Sequence, residues 1–190
     1  MPPEYPTLQF ASEAAFSAWL EANHSKLDGV WVQFARKGSG VPSVTYPEAV
    51  EAALCFGWID GQAKSLDAAS YLQKFTPRRK TSLWSKVNRD KAERLIASGR
   101  MRPAGLAAVE EARKNGRWDA AYSTTEEPAV WTEALAGNAK ARSAWKNLDS
   151  RNRNAILFRI QTVRREETRT RKIAEFIRLL AAGDKPFPNV

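Results

Sequence analysis

The chain is short of the residues on which many catalytic centres depend. It has one cysteine, Cys55, and one histidine, His24, in 190 residues. That scarcity excludes a disulfide scaffold and any zinc site built from Cys and His. It also argues against Ser-His-Asp and Cys-His engines, because each would have to use one of these two residues. Cys55 lies in an apolar run and reads as an inert buried thiol. His24 lies at a helix end, where capping is the simpler role. No apolar stretch approaches the roughly 20 residues of a membrane helix, so no membrane span is expected. The start, Met1-Pro2-Pro3-Glu4, lacks the basic-then-apolar pattern of a signal peptide, and a cytoplasmic location is expected. Nothing in the composition asks for a cofactor or a metal.

Negative charge is also in deficit. Lys and Arg number 30 against 21 Asp and Glu, a net charge of +9. Residues 1–73 sum to −4, residues 74–122 to +8 and residues 126–190 to +5. The excess therefore begins abruptly at Lys74, and such asymmetry steers anionic partners toward one face. With 43% hydrophobic residues the chain still has the apolar content of a globular core.

Ser12 ahead of Phe16, Trp19 and Leu20 predicts a capped helix over about 12–23. Val30 to Ala35 is rich in β-formers and predicts a strand. Thr45-Tyr46-Pro47-Glu48 has capping-box spacing and opens a helix that stops near Gly57. A hairpin is expected from Gln62 to Phe75, bending near Leu66-Asp67-Ala68-Ala69. Thr76 to Ser82 reads as a loop, followed by a helix of about 89–98 capped by Asn88 and another from Pro103 to Gly116. Ser123 to Pro128 is polar and linker-like. Short helices are expected over 129–137 and 138–147. A long Arg-rich helical region follows, with Ile173, Phe176, Ile177 and Leu180 on one face. The expected fold is α+β: a small antiparallel sheet with packed helices over 1–123, then a helical C-terminal subdomain over 124–190.

Several runs carry a resemblance. Ala53-Leu54-Cys55-Phe56-Gly57-Trp58-Ile59-Asp60-Gly61 is followed by Phe75-Thr76-Pro77-Arg78-Arg79 and Ser82-Leu83-Trp84-Ser85-Lys86-Val87-Asn88. Gly99-Arg100-Met101, Gly116-Arg117-Trp118-Asp119 and the run Arg164 to Ile173 come next. In this order, over roughly residues 10–183, they resemble the bacterial YdeI/OmpD-associated family, also called bacteriocin-protection proteins. The resemblance implies a role in protection against bacteriocins or other envelope-directed peptides. It supplies no reaction and no catalytic residues.

Two constellations carry the functional expectation. In the first, Arg78, Arg79 and Lys80 stand beside Ser82, Trp84, Ser85 and Lys86. Guanidinium forks bind phosphate and carboxylate oxygens bidentately, hydroxyls and loop amides complete a cradle, and Trp84 offers a ring for a planar ligand. Asp60, at the start of the hairpin, could orient one of the arginines. The plain structural alternative has Trp84 in the core and Arg78 and Arg79 paired with Asp60 or Asp67. In the second, Arg164, Arg165, Arg169 and Arg171 sit in an Arg-rich helix read as 151–172, suited to an acidic partner surface or a phosphate backbone. The pair of helices around Gly99 invites a helix-turn-helix reading. Pro103-Ala104-Gly105-Leu106, however, gives its second helix almost no polar group for base edges.

The leading expectation is a non-enzymatic protein whose basic loop binds an anionic small molecule or acidic protein surface, with nucleic acid as a variant of that partner. The alternative is an enzyme acting on a phosphorylated or carboxylated small molecule, with Asp60, Arg78, Arg79 and Ser82 in its pocket.

Overall fold

A computed structural model describes residues 4–187; Met1, Pro2 and Pro3, on which the leader reading rests, lie outside them. The chain divides between Ala120 and Ala121 into two compact units. No helix among the described residues is long and apolar enough to cross a membrane.

The first unit runs β1 (Thr7–Gln9), α1 (Glu13–Asn23), β2 (Val30–Ala35), α2 (Tyr46–Cys55), β3 (Trp58–Ser65), β4 (Ser70–Pro77), α3 (Lys86–Ala97) and α4 (Pro103–Lys114). Its four strands form one sheet in the order β1-β2-β4-β3. The β2–β4 and β3–β4 pairs are antiparallel, as expected, whereas β1 lies parallel to β2 with Thr7 opposite Trp31. The sheet is therefore mixed. Three residues are too few to show a strand period, so β1 leaves no sign in the sequence; a parallel neighbour needs a crossover, and α1 provides it.

Period-two alternation explains β2. Val30, Val32 and Phe34 are buried, while Trp31, Gln33 and Ala35 lie on the opposite, half-exposed face. On the inner face Phe16 of α1 meets Phe75 of β4 edge-on at 5.5 Å, and Trp19 meets Trp58 at 6.1 Å. A bulge between Asp60 and Ala63 interrupts β3. The buried Gln73 amide compensates by donating to the carbonyls of Gly61 (2.9 Å) and Gln62 (3.4 Å).

The starts of α1 and α2 obey local rules. Ser12 Oγ accepts from Ala15 N, and Thr45 and Glu48 form the capping box expected of them. The cap of α3 is corrected: Ser85 Oγ accepts from Asn88 N at 3.2 Å, so the helix begins three residues before the expected start. Glycines set how α4 meets α2. A Cβ on Gly105 would run into the Cys55 carbonyl oxygen and Met101 Sδ. Gly57, at φ +71°, would place one 2.8 Å from the Ala104 carbonyl oxygen.

The second unit holds α5 (Ala129–Ala136), α6 (Ala139–Lys146), α7 (Ser150–Gln161) and α8 (Glu166–Ala182). Its core joins Trp131, Leu135, Trp145, Ile156, Leu157, Ile160, Phe176 and Leu180. The stripe expected on α8 is present, with Ile173 and Ile177 packed beside Phe176 and Leu180. The buried Asn152 holds four groups together. Its Nδ2 donates to both Asp149 carboxylate oxygens and to the Phe187 carbonyl, and its Oδ1 accepts from Phe187 N.

The single Arg-rich helix read over 151–172 is two helices. The chain leaves α7 after Gln161 and re-enters α8 at Glu166. The break is closed by Arg169, whose Nε donates to the Ile160 carbonyl (3.1 Å) and Nη2 to that of Val163 (2.9 Å). A guanidinium fork thus satisfies carbonyls that the helix end leaves without amide partners.

Candidate functional site

The loop between β4 and α3 is anchored at its base and exposed at its tip. Arg78 N donates to the Gly57 carbonyl at 2.8 Å, and Arg78 Nη1 to that of Leu83 at 3.1 Å. The Arg78 guanidinium lies 3.6 Å from the Trp84 ring centroid. Trp84 is 3% exposed and meets Trp118 edge-on at 4.9 Å, with Arg113 5.1 Å from the Trp118 ring. Two indoles flanked by two arginines form one stack, which pins the loop to the segment after α4. Asn115 Nδ2 adds a bond to the Lys80 carbonyl at 3.0 Å. The turn is closed by Ser82 N to the Arg79 carbonyl and by Arg79 N to Ser82 Oγ, both at 2.9 Å.

This anchoring leaves a pocket of about 350 Å³ between the loop and α4. Trp58, Trp84 and Phe56 form apolar parts of it; Ala104, Ala107, Ala108 and Ala112 of α4 line the opposite wall. Arg78, Arg79, Lys80, Ser82, Asn115, Glu111 and His24 supply the polar lining. Arg79 and Lys80 are exposed, and among the described residues neither side chain makes a hydrogen bond or ion pair. A rim carrying two uncommitted cations over an apolar wall suits an anion attached to an apolar body. His24 Nδ1 lies 2.8 Å from the Leu20 carbonyl, which can only accept, so Nδ1 carries the proton there.

The expected site residues are only partly brought together. Arg78, Arg79, Ser82 and Trp84 line the pocket; Asp60, Ser85 and Lys86 do not. Asp60 accepts from the Tyr46 hydroxyl at 2.7 Å, so it orients no arginine of the loop. Asp67 holds its own turn through Ala69 N (2.8 Å) and Ser70 Oγ (2.9 Å), which keeps its carboxyl below the ordinary range, the Ser70 hydroxyl contributing most. The structural alternative is therefore met for Trp84, which is buried. The Arg78 guanidinium covers the Trp84 ring, while Asp60 and Asp67 are held by Tyr46 and by Ala69 and Ser70. Ser85 is the α3 cap. Ser82 accepts from the Arg79 amide and still has its hydroxyl proton to donate. The Ala wall of α4, with Glu111 and Asn115, was missed: small residues at helical spacing look like ordinary packing in a sequence.

In the second unit Arg169 is committed to the α7–α8 break and to Glu166 at 2.6 Å. Arg164, Arg165 and Arg171 are exposed, the first two within the break itself. Cys55 is buried, and desolvation pushes its thiol above the usual value.

A model of a domain of unknown function (DUF8412) matches residues 8–108, more than half of the chain. The chain belongs to the DUF8412 family. The DUF8412 match contains the sheet except Thr7 of β1, the loop between β4 and α3, and all of the pocket lining except Glu111, Ala112 and Asn115. Residues 124–183 match a second model, described as bacteriocin-protection, YdeI or OmpD-associated, which bears out the resemblance over that segment. The runs Ala53–Gly61, Phe75–Arg79 and Ser82–Asn88 instead fall within the DUF8412 match. No curated protein and no solved structure shows significant similarity to the chain.

Proposed function

We propose that the DUF8412 unit is a non-enzymatic binding module for a small organic anion, a phosphate or carboxylate joined to an apolar group. The observation that carries this reading is the pair Arg79 and Lys80, uncommitted cations at the rim of a pocket whose other wall is four alanines. The anionic end pairs with the rim cations, assisted by the Ser82 hydroxyl, and the apolar end lies along α4. The enzyme alternative loses support, because its carboxylate, Asp60, is held by Tyr46 instead of facing the loop. The description of the model matched by residues 124–183 supports placing this binding in bacteriocin or envelope-stress protection.

Thermal unfolding with phenyl phosphate, benzoate and inorganic phosphate tests the reading. At tenfold excess over Kd, mass action stabilises by about 1.4 kcal/mol and raises Tm by about 3–6 °C. Phenyl phosphate should give the larger shift and inorganic phosphate the smaller, since it lacks the apolar end. Arg79→Ala/Lys80→Ala should abolish the shift without lowering the Tm of the ligand-free protein. No shift with any of the three, or an unchanged shift in the double variant, overturns the proposal.

A further inference from the structure

The outer face of the sheet is a second surface, argued independently of the pocket although the hollow at its end shares Arg79 with the pocket rim. It carries Trp31, the second residue of β2, half-exposed and facing away from the core. Lys64 Nζ of β3 lies 4.3 Å from the Trp31 ring centroid and Lys74 Nζ of β4 5.6 Å from it. Lys74 Nζ is also 6.0 Å from the ring of Tyr5. Two rings and two ammonium groups thus lie close together, Trp31, Lys74 and Lys64 on neighbouring strands and Tyr5 on the segment before β1. Among the described residues neither lysine is ion-paired; Lys74 donates only to the Gln62 side-chain carbonyl at 3.3 Å. One carboxylate, Asp28, lines a hollow at the end of this strip together with Tyr5 and Arg79.

We propose that this sheet face binds single-stranded nucleic acid. Base faces stack on Trp31 and Tyr5, and Lys64 and Lys74 pair with the phosphates between them. Stacking platforms combined with basic side chains are the physical means by which single strands are held without reading sequence. A surface ammonium over an exposed ring is a weaker contact than a stacked base, so an incoming base displaces the lysine, and the freed ammonium turns to the backbone. A duplex hides its base faces and offers Trp31 nothing to stack on. Strands about 4.8 Å apart give a four-stranded face roughly 15 Å wide, room for about three nucleotides.

The test is fluorescence anisotropy of a labelled eight-nucleotide single strand with the full chain. Binding should weaken about tenfold between about 50 and 200 mM salt, as two or three phosphate contacts require. Trp31→Leu and Lys64→Ala/Lys74→Ala should each weaken it at least fivefold. Trp31→Phe, which keeps a ring, should restore most of the loss and so separates stacking from misfolding. Lys80→Ala, which removes a pocket-rim cation that does not line the hollow at the end of the strip, should change binding less than twofold. A duplex or a polyglutamate competitor that displaces the strand as well as unlabelled single strand, no binding at low salt, or equal affinity in Trp31→Leu would each overturn the proposal.

Discussion

From Lys74 onward the two units carry the same number of cations, 13 Lys and Arg each, and use them differently. In the second unit three guanidinium groups close the structure on itself. Arg153 donates to the Trp145 carbonyl and lies 5.1 Å from its ring, Arg159 lies 4.7 Å from the Phe187 ring, and Arg169 closes the α7–α8 break. In the first unit Arg78 and Arg113 are committed in the same way, to indole rings, but Arg79 and Lys80 are exposed and, among the described residues, their side chains make no hydrogen bond or ion pair. Charge density along a sequence therefore does not locate a binding surface. What locates one is whether a helix end or an aromatic ring nearby claims the cation.

The largest effect should come from breaking one unit and asking whether the other survives. Trp131 is fully buried at the centre of the second core. Trp131→Ala should cost about 3–5 kcal/mol, the range for deleting a buried indole. If the units are independent, amide resonances of α7 and α8 collapse toward random-coil positions while those of the sheet stay dispersed. Loss of both sets together would show one cooperative structure and end the comparison.

Next is the frame of the pocket. In Gly105→Ala the new methyl group meets the Cys55 carbonyl, a backbone atom that cannot turn aside. Overpacking of this kind costs about 1–3 kcal/mol. It should lower the first unit's urea midpoint and, by moving α4, weaken phenyl phosphate binding, with the second unit's midpoint unchanged.

How much of this was legible beforehand follows the range of the signal. Ser12, the Thr45–Glu48 box, the β-formers of 30–35 and the 66–69 bend are local patterns, and each appears where the sequence places it. β1 was invisible because its strand character comes from pairing with β2, not from its own three residues. The break at residues 162–165 was invisible for a related reason: Arg169 stabilises it from the following helix, and only folding brings the two together. In the site, the loop cations were legible as charge and Trp84 as an aromatic. Which cation covers the ring, and that an alanine face completes the pocket, depend on the close approach of α4 at Gly57 and Gly105.

The comparison of cations can be sharpened with one matched pair of variants. Arg169→Gln removes a guanidinium that bonds two carbonyls and one carboxylate while 28% exposed. It should destabilise the second unit by about 1–2 kcal/mol, at the lower end because the Glu166 bond is solvent-screened. Arg79→Gln removes an equal charge with no bonds and should stay within about 0.5 kcal/mol. Equal urea midpoints for the two variants would contradict the distinction between committed and uncommitted arginines.

The smallest expected effect is an acid-limb difference at Asp149, the α7 cap. Its carboxylate accepts from Asn152 N at 2.9 Å and from Asn152 Nδ2, with Lys185 Nζ at 3.3 Å. The backbone bond from Asn152, more than any other cause, lowers its pKa from 3.8 to about 2. A carboxyl lowered in the folded state binds protons more readily when unfolded, so its stabilisation is complete above about pH 4 and is lost as pH falls toward 2. Asp149→Asn keeps a side-chain oxygen that caps a helix but cannot titrate. The second unit of the wild type should therefore lose stability between pH 4 and 2 more steeply than that of Asp149→Asn, as followed by α7 amide resonances in urea at each pH. Parallel curves would mean that the cap acts through geometry alone and that the charge on Asp149 contributes nothing to holding Asn152 and the segment at Phe187.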